Sequence, residues 1–421
     1  MKSMNLVKYF FTIFLFLGLP GLCQEKGSAQ SYPADADVWV LAGQSNMDGC
    51  GRTPDTLTNP GIMMYGLDNK WTVAQNPVHR IYDAAAPAYE LIISHYYPAY
   101  KDLDSQKVKA VLAQKRLDSR QKPIGGVGPG IYFARYINEH AGKNIALIPC
   151  GIGGTTMEQW SPDRIPRGDS SLYGAMINRI KSVGGNLKGV VWFQGESEAM
   201  SGKTDSYEND LLYLVDRIRK DTGYKDLPII IVQIGCFNIH NPAMDKGYET
   251  VRDIQRNIYK KRNNLFVVSC IDLPLDDWAH ISTEGQKRLG KRIAEIALTG
   301  VYNKKGYAEQ INLESIKMCK DSINGSNYLL VHFSGIREKL QCCGKPGTFE
   351  LRVNGTTTYE FVVAKAILDQ DDPAGIRLYL SGVPESNAQL VFGPGTNPYV
   401  NLTDNLDNGI PVFGPIDIPL K

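Results

Sequence analysis

Five short runs of almost unbroken apolar residues recur along the first two thirds of the chain. They are DVWVLA at 37–42, NIALIP at 144–149, GVVWF at 189–193, PIIIVQI at 228–234 and LFVVSCI at 265–271. A strand with one wet face alternates apolar with polar residues. A run without alternation has to be covered on both faces, as the strands of a parallel sheet are. Amphipathic stretches at 130–139, 207–222, 248–262 and 285–298 are interspersed with these runs. Runs and amphipathic stretches together predict a three-layer α/β domain with helices on both sides of a parallel sheet. Ligands of such sheets gather beyond the carboxyl ends of the strands, so chemistry is sought just after each run. Residues 68–122 are less regular and rich in Tyr, His, Lys and Asp. They read as an insertion over one sheet edge, with a helix around 105–119, that either shapes a substrate cleft or is a solvated elaboration.

Past residue 300 the texture changes. YLLVHF (328–333), TFELRV (348–353), YEFVVA (359–364), IRLYL (376–380) and QLVF (389–392) are separated by Gly, Asn, Asp and Pro clusters. Strands at this spacing without helices predict a small antiparallel sandwich or barrel. The 421 residues exceed one average domain. The division expected is a leader at 1–29, an α/β domain at 30–300 containing the 68–122 insertion, and an all-β domain at 301–421.

The leader begins MKSMNLVKYFFTIFLFLGLPGLCQ, with lysines at positions 2 and 8, an apolar run at 9–22 and a Gly-Ser-Ala cleavage site at 27–29. That is the layout of a secretory signal peptide, and the run falls short of the ~20 apolar residues a membrane span needs. A secreted or periplasmic protein without a transmembrane segment is expected, with a lipid anchor on Cys23 as the alternative. The net charge of +2 balances 46 basic against 44 acidic side chains, and no basic tract stands out, which argues against a nucleic-acid partner. No Cys-x-x-Cys or His-Glu-x-x-His spacing suggests a metal. Cys150, Cys236 and Cys270 end apolar runs and read as buried thiols, while Cys319 could pair with Cys342 or Cys343.

Several of the sites beyond strand ends carry reactive side chains. Ser45 lies in Gly43-Gln44-Ser45-Asn46, where small neighbours leave room for an acyl carbon, although a serine there also serves as a helix N-cap. PCGIGGTT at 149–156 is a glycine turn whose backbone N–H groups could face an oxyanion, and it lacks the Lys-Ser/Thr ending of a phosphate loop. Trp160 beyond it either walls a pocket or covers the surface. In WFQGESE (192–198), Gln194 could donate an amide N–H to an oxyanion, or Gln194 and Glu196 could bond loop backbone. In DLPLDDWAH (272–280), Asp277 and His280 are three residues apart, which can bring a carboxylate onto one imidazole nitrogen and leave the other for a serine proton.

The order Ser, Asp, His is shared with α/β-hydrolases, but the Gly-x-Ser-x-Gly elbow of that fold is missing around Ser45. A serine after the first strand with Asp-x-x-His near the domain's end resembles the SGNH (GDSL-like) esterases. LAGQSNMDG, PCGIGGTTMEQW, VVWFQGESE and DDWAHIS, spread from Leu41 to Ser282, resemble the sialate O-acetylesterase-like branch of that group, related to carbohydrate esterase family 6. The resemblance implies a flavodoxin-like α/β/α fold and removal of O-acetyl groups from sugars with no cofactor. It makes Ser45 the nucleophile, His280 the general base and Asp277 its orienter. The implied oxyanion hole comprises the N–H of Ser45, the N–H of Gly154 or its neighbour Gly153, and the Gln194 side-chain amide. GKPGTFEL (344–351), VAKA (363–366) and GPGTNP (393–398) are similar to the β-rich module of sialate O-acetylesterases. An acetylated sialic acid is the implied partner, with xylan or pectin acetyl esters as alternatives. A carbohydrate-binding protein without turnover is the rival from another class. Arg52, Arg80, Arg164 and Arg167 are candidates for gripping a substrate carboxylate.

Overall fold

The computed structural model describes residues 35–421 apart from 97–102, 123, 240, 359–360, 384–386 and 420–421. The leader, its cleavage site and Cys23 lie outside the described residues.

Seven strands form the central sheet: β1 (Asp37–Gly43), β2 (Ile62–Tyr65), β3 (Trp71–Val73), β4 (Ile145–Pro149), β5 (Asn186–Phe193), β6 (Ile229–Gln233) and β7 (Leu265–Ser269). Their order across the sheet is β3-β2-β4-β1-β5-β6-β7. All neighbours run parallel except β3, which turns back antiparallel on β2. Every residue of β1, β4 and β6 is buried, which is why these runs show no polar alternation. The hairpin β2–β3 is the part of the sheet that the apolar runs did not announce. β2 is four residues long, and β3 at the sheet edge is only partly covered.

The helices are α1 (Ser45–Asp48), α2 (Pro87–Tyr96), α3 (Ser105–Gln121), α4 (Gly130–Ala141), α5 (Leu172–Val183), α6 (Glu196–Ser201), α7 (Tyr207–Thr222), α8 (Pro242–Asn257) and α9 (Thr283–Gly300). α4 packs on α9 as one layer, and α5, α7 and α8 pack side by side as the other. The result is the three-layer α/β/α domain, with one apolar core running through both sides of the sheet. The insertion holds β3, which is itself the edge strand, and α2 and α3, which pack on each other, α2 also meeting α5.

Ten further strands follow: β8 (Asn312–Lys320), β9 (Asn327–Ser334), β10 (Leu340–Cys342), β11 (Phe349–Val353), β12 (Thr356–Thr357), β13 (Val363–Leu368), β14 (Gly375–Leu380), β15 (Ala388–Phe392), β16 (Leu402–Asp404) and β17 (Phe413–Asp417). They pair antiparallel in two four-stranded sheets, β13-β14-β9-β8 and β12-β11-β15-β17, and a small sheet β10-β16. The apolar faces of the larger two share a second core around Leu329, Val331, Phe333, Leu378, Leu390, Phe392 and Phe413. Ile271, just past β7, belongs to this second core, so the tail is built onto the end of the α/β sheet. All described cysteines are free thiols. Cys150 and Cys270 are buried, Cys236 is partly covered, and Cys319 is unpaired with either Cys342 or Cys343.

Candidate active site

β1, β4, β5 and β7 all end at one edge of the sheet, and the loops beyond them carry the expected site residues. The turn after β1 is set by Gly43. Its φ is +133°, and a Cβ there would fall 2.0 Å from the Phe193 carbonyl oxygen. The next amide, Gln44 N–H, donates to that same carbonyl at 2.8 Å. β1 and β5 are thereby tied together at their ends, and Ser45 emerges as the first residue of α1. Its N–H is one of those that a helix start leaves without an intrahelical partner. Its hydroxyl bonds to nothing among the described residues.

After β7 the chain folds back on itself. A bridge joins Leu275 to Ile281, and the Asp276 N–H donates to the His280 carbonyl at 2.8 Å. Inside this loop, His280 Nδ1 lies 3.0 and 2.9 Å from the two carboxylate oxygens of Asp277. Partial burial disfavours the Asp277 charge. The Ala279 amide, the His280 ring and the His280 amide nevertheless hold its pKa down at about 2. An ionised carboxylate only accepts, so Nδ1 carries a proton, and in the neutral imidazole Nε2 is the nitrogen with the lone pair. Nε2 has no partner among the described residues.

No hydrogen bond joins Ser45 Oγ to His280 in this structure. What brings their loops together is Asn46, a residue the sequence analysis did not single out. Its Oδ1 accepts the Ile281 N–H at 3.0 Å, and its Nδ2 donates to the Ala279 carbonyl at 3.2 Å. The residue following Ser45 thus grips the residues on both sides of His280. Asn46 Nδ2 also donates to Glu196 Oε1 at 3.0 Å, and Gln286 Nε2 donates to the Asn46 carbonyl at 3.0 Å. Glu196 is buried, and burial pushes its carboxyl above the usual range against the pull of the Asn46 bond.

The glycine turn after β4 discriminates between its two candidate donors. Gly153 is buried, next to the Asp48 carboxyl, whose pKa burial raises while the neighbouring Gly153 amide pulls it back. Gly154 is exposed at φ +72°, a Cβ there would meet nothing within 4 Å, and its N–H has no partner among the described residues. Trp160 turns out neither to wall a pocket nor to face the surface. It is fully buried, its Nε1 donates to Thr155 Oγ1 at 3.0 Å, and it meets Trp192 edge-on beneath the turn.

Of its two readings, oxyanion donor or brace of the loop backbone, Gln194 adopts the second in this structure. Its side chain is fully buried, and Nε2 donates to the Thr155 carbonyl at 3.1 Å and to Glu198 Oε2 at 2.5 Å. Both amide protons are committed, so Gln194 braces the glycine turn and offers no N–H to an oxyanion in this conformation. Glu198 in turn accepts the Met157 N–H at 2.7 Å, which ties the same turn from its other end.

Of the four candidate arginines, Arg52 meets the Asp–His pair, with Nη2 3.2 Å from Asp277 Oδ2 and its side chain two-thirds exposed. Arg164 is held by Glu158. Among the described residues no group of three His, Cys, Asp or Glu could hold a metal, and no helix is long and apolar enough to cross a membrane. A free serine hydroxyl, an imidazole oriented by an ionised carboxylate, and an unbonded N–H at the same sheet edge are the parts that acyl transfer requires.

Comparison with known proteins places the chain among carbohydrate esterases. A profile of the family described as carbohydrate esterase, sialic acid-specific acetylesterase, matches residues 35–299. A probable carbohydrate esterase from Arabidopsis thaliana is 29% identical over 301 residues, covering 66% of this chain and 95% of that protein. The crystal structure of a carbohydrate acetylesterase from Xanthomonas citri is similar at a TM-score of 0.63 and 16% identity, covering 90% of this chain and 80% of that one. At that identity the likeness speaks to the fold, and it extends into the β-rich tail.

Proposed function

This chain belongs to the SGNH-type carbohydrate esterase family of sialic acid-specific acetylesterases, and from that membership we propose that it is an exported serine esterase that removes O-acetyl groups from sugars. Ser45 is the nucleophile. His280 Nε2 takes its proton as Oγ bonds to the acetyl carbon, and the oxyanion that forms is met by the N–H groups of Ser45 and Gly154. The carbon–oxygen bond to the sugar then breaks, and His280 gives the proton to the departing sugar oxygen. Water repeats both steps on the acetyl-serine and releases acetate. Asp277 keeps the imidazole in the Nδ1–H tautomer throughout. Hydrogen bonds at such sites commonly close only when substrate arrives, which fits the open Ser45 hydroxyl.

The observation that carries this reading is the bonded Asp277–His280 pair, held against the Ser45 loop by Asn46 on both flanks. Acetylated sialic acid is the leading substrate within the proposal. It is the sugar in the family's description, and Arg52 stands exposed beside the dyad as a partner for its carboxylate. The test is acetate release from O-acetyl sialic acid and from acetylated xylan. Ser45→Ala and His280→Ala should each cut turnover by about a thousandfold or more, and wild-type rates in either variant would sink the assignment. Export rests on the leader-like first 29 residues. It predicts a mature N-terminus near Gln30 in protein recovered from its natural host.

A further inference from the structure

Trp278 differs from the three tryptophans of the core, and Trp71 in the edge strand is partly covered. Trp39, Trp160 and Trp192 are buried in the core, whereas Trp278 is 46% exposed, two residues before His280. Its ring is not loose. Buried Phe237 meets it edge-on with centroids 5.1 Å apart and planes at 86°, and the His280 ring lies 5.8 Å away at 56°. Exposing so much apolar ring is unfavourable in water, and here the ring is braced in that exposed position.

Its own loop carries the Asp277–His280 pair, and two exposed asparagines lie on the neighbouring loops. The Asn238 N–H donates to the Trp278 carbonyl at 2.6 Å. Asn397 Nδ2 donates to Asn238 Oδ1 at 2.9 Å, and both asparagines are exposed. Asn397 belongs to the loop after β15 in the β-rich tail. That loop is locked down by the Phe237 N–H on the Thr396 carbonyl and by Arg252, which donates to the carbonyls of Gly395 and Thr396. A fixed aromatic face edged by neutral amides suits a pyranose, whose C–H face covers the ring while its hydroxyls bond the amides.

The place fits the chemistry, and here the argument rests on the esterase reading above. The sugar oxygen leaves with a proton from His280, so its ring has to lie within reach of that imidazole, and Trp278 flanks it. We infer that Trp278, edged by Asn238 and Asn397, is the platform that holds the leaving sugar ring, a saccharide subsite completed by the β-rich tail.

The test compares a methyl 6-O-acetyl-glucopyranoside with ethyl acetate, which has no ring to hold, using the whole protein. In Trp278→Ala the ratio of kcat/KM between the two esters should fall about tenfold, mostly through KM of the sugar ester. Trp278→Phe should recover much of it, and Asn397→Ala should lower it about threefold by removing one hydrogen-bonding group. A ratio unchanged in Trp278→Ala, with both esters slowed alike, would make the indole a prop for His280 and overturn the platform. An unchanged ratio in Asn397→Ala would overturn the tail's part in it. Ser45→Ala separates this from the esterase reading. Residual wild-type turnover there defeats that reading, whatever the Trp278 ratio does.

Discussion

Asn46 is the residue on which the two halves of the site depend. It makes three side-chain bonds, to Ala279, Ile281 and Glu196, while its carbonyl accepts from Gln286. Asn46→Ala should lower kcat by about a hundredfold with little change in KM, because a displacement of about 1 Å between nucleophile and base is enough for that loss. Steady-state kinetics on an acetylated sugar check it. Asp277, held at about 2, stays ionised across the working range of the enzyme, so an acid limb in the rate profile belongs to another group. His79 is a different kind of residue. It is buried behind the glycine turn, its Nε2 lies 3.3 Å from the Leu41 carbonyl, and burial lowers its pKa from 6.5 to about 4. The unfolded chain binds this proton more readily, so the native state is penalised as pH falls from 6.5 towards 4 and is unpenalised above that window. His79→Gln should remove this part of the slope, seen as wild type losing stability relative to the variant over the same interval in urea titrations. The pair Asp277–His280 was legible because three residues on one turn decide it. Asn46 was not, because its partners beside His280 lie more than 230 positions away.

At the scale of elements, the strands of the α/β sheet that the sequence announced are the well-buried ones, β1, β4, β5, β6 and β7. Two elements went unannounced for different reasons. β8 carries Glu314, Lys317 and Lys320 among its apolar residues and is mostly half-exposed. α5 was passed over although Ser171, whose hydroxyl accepts the Gly174 N–H at 3.1 Å, marks its start. The junction of β1 and β5 is where element geometry meets function. Gly43→Ala would drive a methyl group into the Phe193 carbonyl, in a backbone conformation that side chains rarely adopt. It should destabilise the fold by about 3 kcal/mol or more, with activity lost in proportion as Ser45 moves. A thermal melt paired with a rate measurement checks both.

Across the whole molecule, the α/β layers and the β-rich tail are joined through buried polar contacts as well as apolar ones. Arg252 of α8 is fully buried and donates to the carbonyls of Ile234, Gly235, Gly395 and Thr396. Burial lowers its pKa, so the charge is held there by carbonyl dipoles. Arg252→Met would leave those acceptors unpaired and should cost about 3 kcal/mol, read as a lower urea midpoint. The same variant should weaken turnover of sugar esters more than of ethyl acetate, because the 394–398 loop edges Trp278. By itself the sequence announced the layered α/β architecture, the strand-rich tail and the loops after the strands that carry Ser45, Asp277 and His280. Those follow from local apolar pattern, turn residues and spacing within one loop. Only the tertiary structure decided that Gln194 spends its amide on Thr155 and Glu198, that Gly153 is buried while Gly154 is exposed, and that Asn46 joins the site. A hydrogen-bond donor's availability depends on which acceptors the fold brings within 3 Å or so of it, and no pattern along the chain encodes that.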